Sequence, residues 1–88
     1  MTAVPTITLF TRRQCSLCDK AHLALSRVQA ARPFTLTVID LDTEASAEKR
    51  AAYDLEVPVM ELDGRKIMKF RVDEARLVHL LDLHDAGR

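Results

Sequence analysis

Residues 6–18 read TITLFTRRQCSLC, and this stretch decides the fold. Its first part, residues 6–10, alternates polar and apolar side chains, which predicts a short β-strand. From Cys15 onward the apolar residues recur at helical spacing, and the pattern is not broken before Pro33. The residues of this apolar stripe are Leu17, Ala21, Ala24, Leu25 and Val28. The stretch is therefore predicted to be a strand followed by a helix over roughly residues 15–31.

The rest of the chain shows patterns for three more strands and two more helices. The strands are predicted at residues 34–40, 59–62 and 65–70. Asp63-Gly64 is typical of a hairpin turn between the last two strands. A short helix is predicted to start near residues 42–44 and to run to Tyr53, and Asp73 can cap a last helix. The order β-α-β-α-β-β-α predicts an α/β fold in three layers, a four-stranded mixed sheet between helices, as one domain over residues 1–88.

The composition of the chain argues against a nucleic-acid or membrane partner. Thirteen Lys and Arg residues balance thirteen Asp and Glu residues, so the chain has no general attraction for a polyanion. No apolar run approaches the roughly 18–20 residues that span a bilayer, and the first residues lack the pattern of a secretory signal. We therefore expect a cytoplasmic protein that binds neither nucleic acid nor membrane, and we expect a monomer.

The chain has two cysteines, Cys15 and Cys18, three positions apart at the predicted start of the first helix. Residues at this spacing share a helix face with their Cβ atoms about 5–6 Å apart, which is close enough for a disulfide to form and break. A thiol at a helix N-terminus is stabilised as the thiolate, so its pKa falls from about 8.5 toward about 3.5–7.5. We therefore predict that Cys15 is the attacking thiolate and that Cys18, one turn further on, resolves a mixed disulfide.

Two other interpretations of the cysteine pair stay open. A structural zinc site needs four ligands, and the further candidates in the sequence are His22, His79 and His84. The cysteines could also be two small buried residues without chemistry. The spacing lacks a second clustered pair of ligands, so redox chemistry is the preferred interpretation and no metal ligand is assigned.

Val57-Pro58 precedes the predicted hairpin. Most X-Pro bonds in folded proteins are trans, so trans is the default expectation. A cis bond would hold Val57 with its backbone N–H and C=O facing outward, where they could pair with an extended peptide. Of the following residues, Val59, Met60 and Leu62 are expected to pack in the core.

Residues 9–18, with a strand, a threonine, a basic residue and Cys-x-x-Cys, resemble the active-site segment of glutaredoxins. Val57-Pro58 before an apolar strand resembles their cis-proline loop, and the element order resembles the thioredoxin fold. The resemblance implies that Cys15 is the nucleophile, Cys18 the resolving thiol and Pro58 a cis-proline. It also implies that Arg12 assists the thiolate and contacts a carboxylate of glutathione. No tightly bound cofactor is implied; the implied partners are a disulfide-containing protein or glutathione, and a reductase as electron donor.

The sequence departs from the glutaredoxin pattern at two places. Ser16-Leu17 stands where glutaredoxins carry Pro-Tyr, and residues 68–73 stand where they carry two glycines and an acidic residue. Lys69 and Phe70 would crowd a glutathione site that glycines leave open. Asp73 is a candidate contact for a ligand amine or only a helix cap, and Leu17 and Phe70 are a candidate apolar rim for a protein substrate. The resulting hypothesis is a dithiol oxidoreductase; the alternative is a binding module that holds a metal or an iron–sulfur cluster.

Overall fold

The computed structural model describes residues 4–86, so the outer ends of the predicted 1–88 domain lie outside the described residues. Within this range the elements follow the predicted order β-α-β-α-β-β-α. The strands are β1 (Thr6–Thr11), β2 (Thr35–Asp40), β3 (Val59–Leu62) and β4 (Arg65–Lys69). The helices are α1 (Ser16–Ala31), α2 (Ala47–Tyr53) and α3 (Glu74–Ala86). None of these helices is long and apolar enough to cross a membrane.

The strands form one mixed sheet in the order β2-β1-β3-β4. β1 runs parallel to β2, while β3 is antiparallel to both β1 and β4. In this register Val59 of β3 lies between Phe10 near the end of β1 and Lys69 at the end of β4. The segments that follow β1, precede β3 and follow β4 therefore meet at one end of the sheet.

Helices cover both faces of the sheet, which confirms the three-layer prediction. Side chains alternate between the two faces along each strand. On one face, Leu9 and Met60 are fully buried in a cluster that includes Leu25 of α1. On the other face, Phe10 packs against Tyr53 of α2, with the ring centroids 5.2 Å apart and the rings edge to face. The core is thus built mainly from aliphatic residues, with one aromatic pair under α2.

Most element boundaries agree with the sequence prediction to within one residue, and two of the differences have a local cause. Helix α2 begins later, because the Ser46 hydroxyl accepts the backbone N–H of Lys49 at 3.1 Å and so caps the helix. The preceding residues form a turn in which the Asp40 carboxylate accepts the backbone N–H of Asp42 at 2.9 Å. Strand β4 ends at Lys69 rather than at Phe70, because Phe70 has a φ of +71° and leaves the extended conformation.

Candidate active site

The cysteine pair lies where β1 gives way to α1. Cys15 is the N-cap residue of α1, with an extended backbone, and its carbonyl accepts the N–H of Asp19 at 3.1 Å. Its Sγ accepts the backbone N–H of Cys18 at 3.1 Å, so the sulfur takes the place of a capping oxygen. Cys15 and Cys18 form a disulfide, with their Cα atoms 5.2 Å apart. The structure therefore places both cysteines at the helix start that the sequence predicted.

The two sulfurs differ in exposure. Cys15 is half-buried, whereas Cys18 is only 2% exposed. A substrate that approaches this end of the sheet meets the sulfur of Cys15 first. This sulfur also sits at the positive end of the α1 dipole, next to backbone N–H groups that lack helical acceptors. The arrangement suits Cys15 to attack from solvent and Cys18 to attack from inside the protein.

The Val57-Pro58 bond is cis, which agrees with the glutaredoxin resemblance and departs from the trans default. Pro58 is buried, and its carbonyl accepts the backbone N–H of Phe70 at 2.7 Å. Within the described residues, the backbone N–H and C=O of Val57 make no hydrogen bond to the protein. This segment precedes β3 and lies at the same end of the sheet as the cysteines. Val57 therefore offers a free donor and a free acceptor for an extended chain.

Arg12 lies at this end of the sheet, and its guanidinium is held by two carboxylates. It donates to both carboxylate oxygens of Asp42, at 2.8 and 2.9 Å, and to the Asp54 carboxylate at 2.6 Å. A further hydrogen bond joins it to the Asp54 carbonyl at 2.8 Å. The hydrogen bond from Arg12 lowers the pKa of Asp42, and the two carboxylates raise the pKa of Arg12. The role of Arg12 toward a thiolate or glutathione stays a prediction, because its described hydrogen bonds all go to the loops on either side of α2.

Leu17 and Phe70 both line a cleft beside the cysteine pair. The cleft has a volume of about 230 Å³ and lies between α1 and the segment that joins β4 to α3. Both side chains are partly exposed, Leu17 by 43% and Phe70 by 42%. Asp73 accepts the N–H of Arg76 at 3.0 Å and so caps α3. A contact between Asp73 and a ligand amine stays a prediction.

Three positively charged residues of this cleft were not singled out by the sequence analysis. Lys20, Arg27 and Arg71 line it together with the apolar residues. Helical spacing from Leu17 contained the signal for Lys20, which lies three residues further on the same helix face. The position of Arg71 depends on the turn at Phe70, which had no sequence signal.

The histidines do not extend the cysteine pair into a metal site in the described part of the chain. No group of three or more His, Cys, Asp or Glu side chains within residues 4–86 is arranged to hold a metal ion. His84 lies on α3, with its Nε2 at 2.6 Å from the Asp63 carboxylate in the β3–β4 turn. This turn is at the end of the sheet opposite to the cysteines.

Comparison with known proteins gives a consistent result. The family model described as "Glutaredoxin-like domain (DUF836)" matches residues 6–82. A glutaredoxin-like protein of Dictyostelium discoideum is 34% identical, over 86% of this chain and 74% of that protein. The X-ray structure of protein XcR50 from X. campestris is 33% identical, covers 88% of this chain and 96% of its own, and superimposes with a TM-score of 0.68. A malaria-parasite thioredoxin-2 shares the fold with a TM-score of 0.70 at 18% identity, covering 96% and 86% of the two chains.

Proposed function

This chain belongs to the glutaredoxin-like domain family (DUF836), and from that premise we propose that it is a thiol–disulfide oxidoreductase that works through Cys15 and Cys18. The observation that carries the proposal is the position of Cys15. Its half-buried sulfur caps α1 and accepts the Cys18 N–H, and the two cysteines lie within disulfide distance. Backbone N–H donors and the helix dipole both favour a thiolate at this sulfur once the disulfide is reduced.

The reaction follows from the order in which the two sulfurs meet the substrate. The reduced Cys15 thiolate attacks one sulfur of a substrate disulfide, which forms a mixed disulfide and releases the first substrate thiolate. The Cys18 thiolate, formed as its proton passes to solvent, then attacks the Cys15 sulfur. This step releases the second substrate thiolate and leaves the Cys15–Cys18 disulfide. The substrate gains two electrons and two protons; a reductase or a small thiol restores the dithiol.

Phe70 favours a protein disulfide over glutathione as the substrate, whereas Val57 is a candidate contact for either one. The free N–H and C=O of Val57 can pair with an extended chain on one side of the cysteines. On the other side, the Phe70 ring occupies space at the start of the β4–α3 segment. Glutathione remains a second candidate co-substrate, and Arg12 and Asp73 are its candidate contacts. A disulfide reductase needs a thiol-reducing compartment, so we propose that the protein is cytoplasmic. We also propose that it is a monomer.

The first test compares two variants that differ only in which cysteine is lost. Cys18→Ser keeps the attacking thiolate and removes the resolving thiol, so we expect it to accumulate mixed disulfides with a disulfide peptide. Cys15→Ser removes the attacking group, so we expect no mixed disulfide and no reduction. Non-reducing mass spectrometry of both reactions measures the outcome. Equal behaviour of the two variants would contradict the assigned roles.

The second test measures the pKa of the Cys15 thiol from its alkylation rate against pH in the Cys18→Ser variant. We expect a midpoint below the ordinary value of about 8.5, because the helix N-terminus stabilises the thiolate. A midpoint at or above that value would count against the proposal. Metal analysis of anaerobically purified protein completes the test, since stoichiometric zinc or iron without reductase activity would favour the binding-module alternative.

A further inference from the structure

The cleft beside the cysteines has an apolar floor that begins at the active site. Leu17, which lies between the two cysteines in sequence, lines the cleft together with Ala21 and Val72. Its volume is about 230 Å³, below the roughly 300–1,000 Å³ that is typical of sites for drug-sized ligands and cofactors. This size fits one or two side chains of a peptide. The cleft is therefore suited to residues that flank a substrate cysteine.

Positively charged side chains outnumber negatively charged ones in the lining of the cleft. Arg27 and Glu74 form an ion pair at 2.8 Å and so neutralise one another. Lys20 and Arg71 also line the cleft, and neither has a carboxylate within ion-pair distance among the described residues. The lining thus carries two uncompensated positive charges, although the whole chain has a formal net charge of zero. A local excess of this kind complements a negatively charged partner.

The Phe70 wall of the cleft is built at a conformational cost. Phe70 holds a φ of +71°, a region that bulky L-residues rarely adopt. Strained residues of this kind are concentrated at functional sites. Phe70 is 42% exposed, and the Lys69 Nζ, which also pairs with the Glu56 carboxylate at 3.5 Å, lies 5.3 Å from the centroid of its ring. The wall is thus an exposed apolar surface that lies next to positive charge.

We propose that this cleft selects protein disulfides with acidic and apolar residues next to the reactive cysteine. The proposal rests on the oxidoreductase function proposed above and adds the class of substrate. An apolar side chain of the substrate packs on Leu17 and Phe70, and an adjacent carboxylate pairs with Lys20 or Arg71. The occupant is a peptide segment of a protein, and glutathione, which also carries carboxylates, is an outcome that the test distinguishes.

The first experiment measures single-turnover reduction of matched cystine peptides by the pre-reduced protein. The peptides are disulfide-linked dimers that differ only in carrying Glu, Gln or Lys beside the cysteine. Each rate is divided by the rate with dithiothreitol, because flanking charge alters the intrinsic reactivity of a disulfide. We expect the normalised rates to rank Glu above Gln above Lys, with about two- to fivefold per cation and a smaller difference at high salt.

Charge variants then test whether Lys20 and Arg71 cause the preference for the Glu peptide. In the double variant with Lys20→Gln and Arg71→Gln, we expect the Glu-to-Gln rate ratio to fall toward one. Arg65→Glu is the matched control, since it changes the net charge by the same two units at the start of β4, at the opposite end of the sheet. We expect this control to keep the ratio. An equal loss in both variants, or no preference in the unaltered protein, would overturn the proposal.

A binding experiment separates this proposal from the oxidoreductase function. The variant with both Cys15→Ser and Cys18→Ser is titrated with the same peptides carrying serine for cysteine, and with glutathione, and backbone amide shifts are followed by NMR. We expect the Glu peptide to shift the amides of Lys20 and Arg71 more than the Gln peptide does. Such shifts, with no disulfide reduction by the unaltered protein, would support peptide binding in the cleft and refute the redox function. Disulfide reduction by the unaltered protein without such shifts would refute peptide binding in the cleft. Stronger shifts with glutathione than with the Glu peptide would refute the peptide as occupant.

Discussion

Phe70 holds a costly backbone conformation at the active end of the molecule. A left-handed backbone costs an L-residue about 1–2 kcal/mol relative to glycine, and Phe70 holds it with a φ of +71°. The N–H of Phe70 donates to the carbonyl of Pro58 at 2.7 Å, which ties the end of β4 to the start of β3. The same conformation directs the chain into the wall of the cleft. A glycine would make this turn without strain but would leave no wall.

We predict that Phe70→Gly is more stable than Phe70→Ala by about 0.5–1 kcal/mol. Both substitutions remove the ring, and only glycine relieves the backbone, with part of the gain lost to the greater freedom of glycine in the unfolded chain. Urea unfolding of the oxidised proteins measures the difference. Gly64→Ala is the reference for strain alone, because Gly64 has a φ of +87° and a Cβ there would meet no atom within 4 Å. Alanine equal to or better than glycine at Phe70 would show that the site is unstrained.

A buried polar cluster joins helix α2 to the sheet. Glu61 of β3 is only 4% exposed, and its Oε2 accepts hydrogen bonds from Lys49 at 2.5 Å and from Tyr53 at 2.6 Å. The Lys49 ammonium also lies 5.2 Å from the centroid of the Tyr53 ring. A buried carboxylate is costly unless it is paired and hydrogen-bonded, and here it is both. Glu61 therefore fixes α2 against the sheet face that is opposite to α1.

We predict that Glu61→Gln lowers the free energy of unfolding by about 1–2 kcal/mol, because the bond from Tyr53 becomes a neutral one and the Lys49 ammonium loses its ion-pair partner. Glu56→Gln is the matched control. Glu56 pairs with Lys66 at 2.9 Å, and this ion pair is more exposed, so the control loses less. Denaturant midpoints of the two variants at neutral pH measure the comparison. A control as damaging as Glu61→Gln would mean that burial adds nothing to this pair.

The same cluster predicts that stability falls above about pH 10. The hydrogen bond to Glu61 raises the pKa of Lys49, and burial, followed by the hydrogen bond to Glu61, raises the pKa of Tyr53. Groups with a raised folded pKa stabilise the protein below their unfolded pKa values, near 10, and lose that contribution as the pH rises toward the folded values. We expect a shallower fall in Glu61→Gln, measured by urea unfolding between pH 8 and pH 11. Identical slopes would exclude Glu61 as the cause.

Sequence patterns predicted elements better than they predicted the partners of single side chains. The apolar stripe from Leu17 to Val28 predicted α1, because helical periodicity over twelve residues is a strong signal. The Ser46 cap was missed, because acidic residues upstream also start helices. Glu61 was not singled out in the sequence, because its burial depends on Lys49 and Tyr53, which α2 brings to it. The hydrogen bonds of the Arg12 guanidinium likewise depend on Asp42 and Asp54, which lie far along the chain.

At the scale of the molecule, the candidate active site depends on the topology as well as on the Cys-x-x-Cys motif. The motif and Val57-Pro58 are readable in the sequence, and the order β2-β1-β3-β4 brings them to one end of the sheet. The cleft depends in addition on where the chain goes after β4. That path is set by the positive φ of Phe70, which no sequence pattern indicates. The cleft and the position of Arg71 could therefore not be predicted, although helical spacing did contain the signal for Lys20.

The direction of the redox reaction is tied to the stability of the whole molecule. By thermodynamic linkage, two differences are equal. One is the difference in unfolding free energy between the oxidised and the reduced protein. The other is the difference in the free energy of disulfide formation between the folded and the unfolded chain. A protein that reduces disulfides must favour its own disulfide when folded, whereas in a disulfide oxidant the reduced form is the more stable one. The loop between Cys15 and Cys18 is short, so the gain from restricting the unfolded chain is at most about 2 kcal/mol.

We therefore predict that the oxidised protein is more stable than the reduced protein by up to about 2 kcal/mol, with both forms folded. The thiolate of Cys15 at the start of α1 stabilises the reduced form by about 0.3–1 kcal/mol and so narrows the difference. Urea unfolding with and without dithiothreitol measures this difference in stability between the oxidised and the reduced protein. The variant with Cys15→Ser and Cys18→Ser should not respond to dithiothreitol. A reduced form that is more stable than the oxidised form would reverse the proposed direction, because such a protein would transfer its disulfide to substrates rather than reduce theirs.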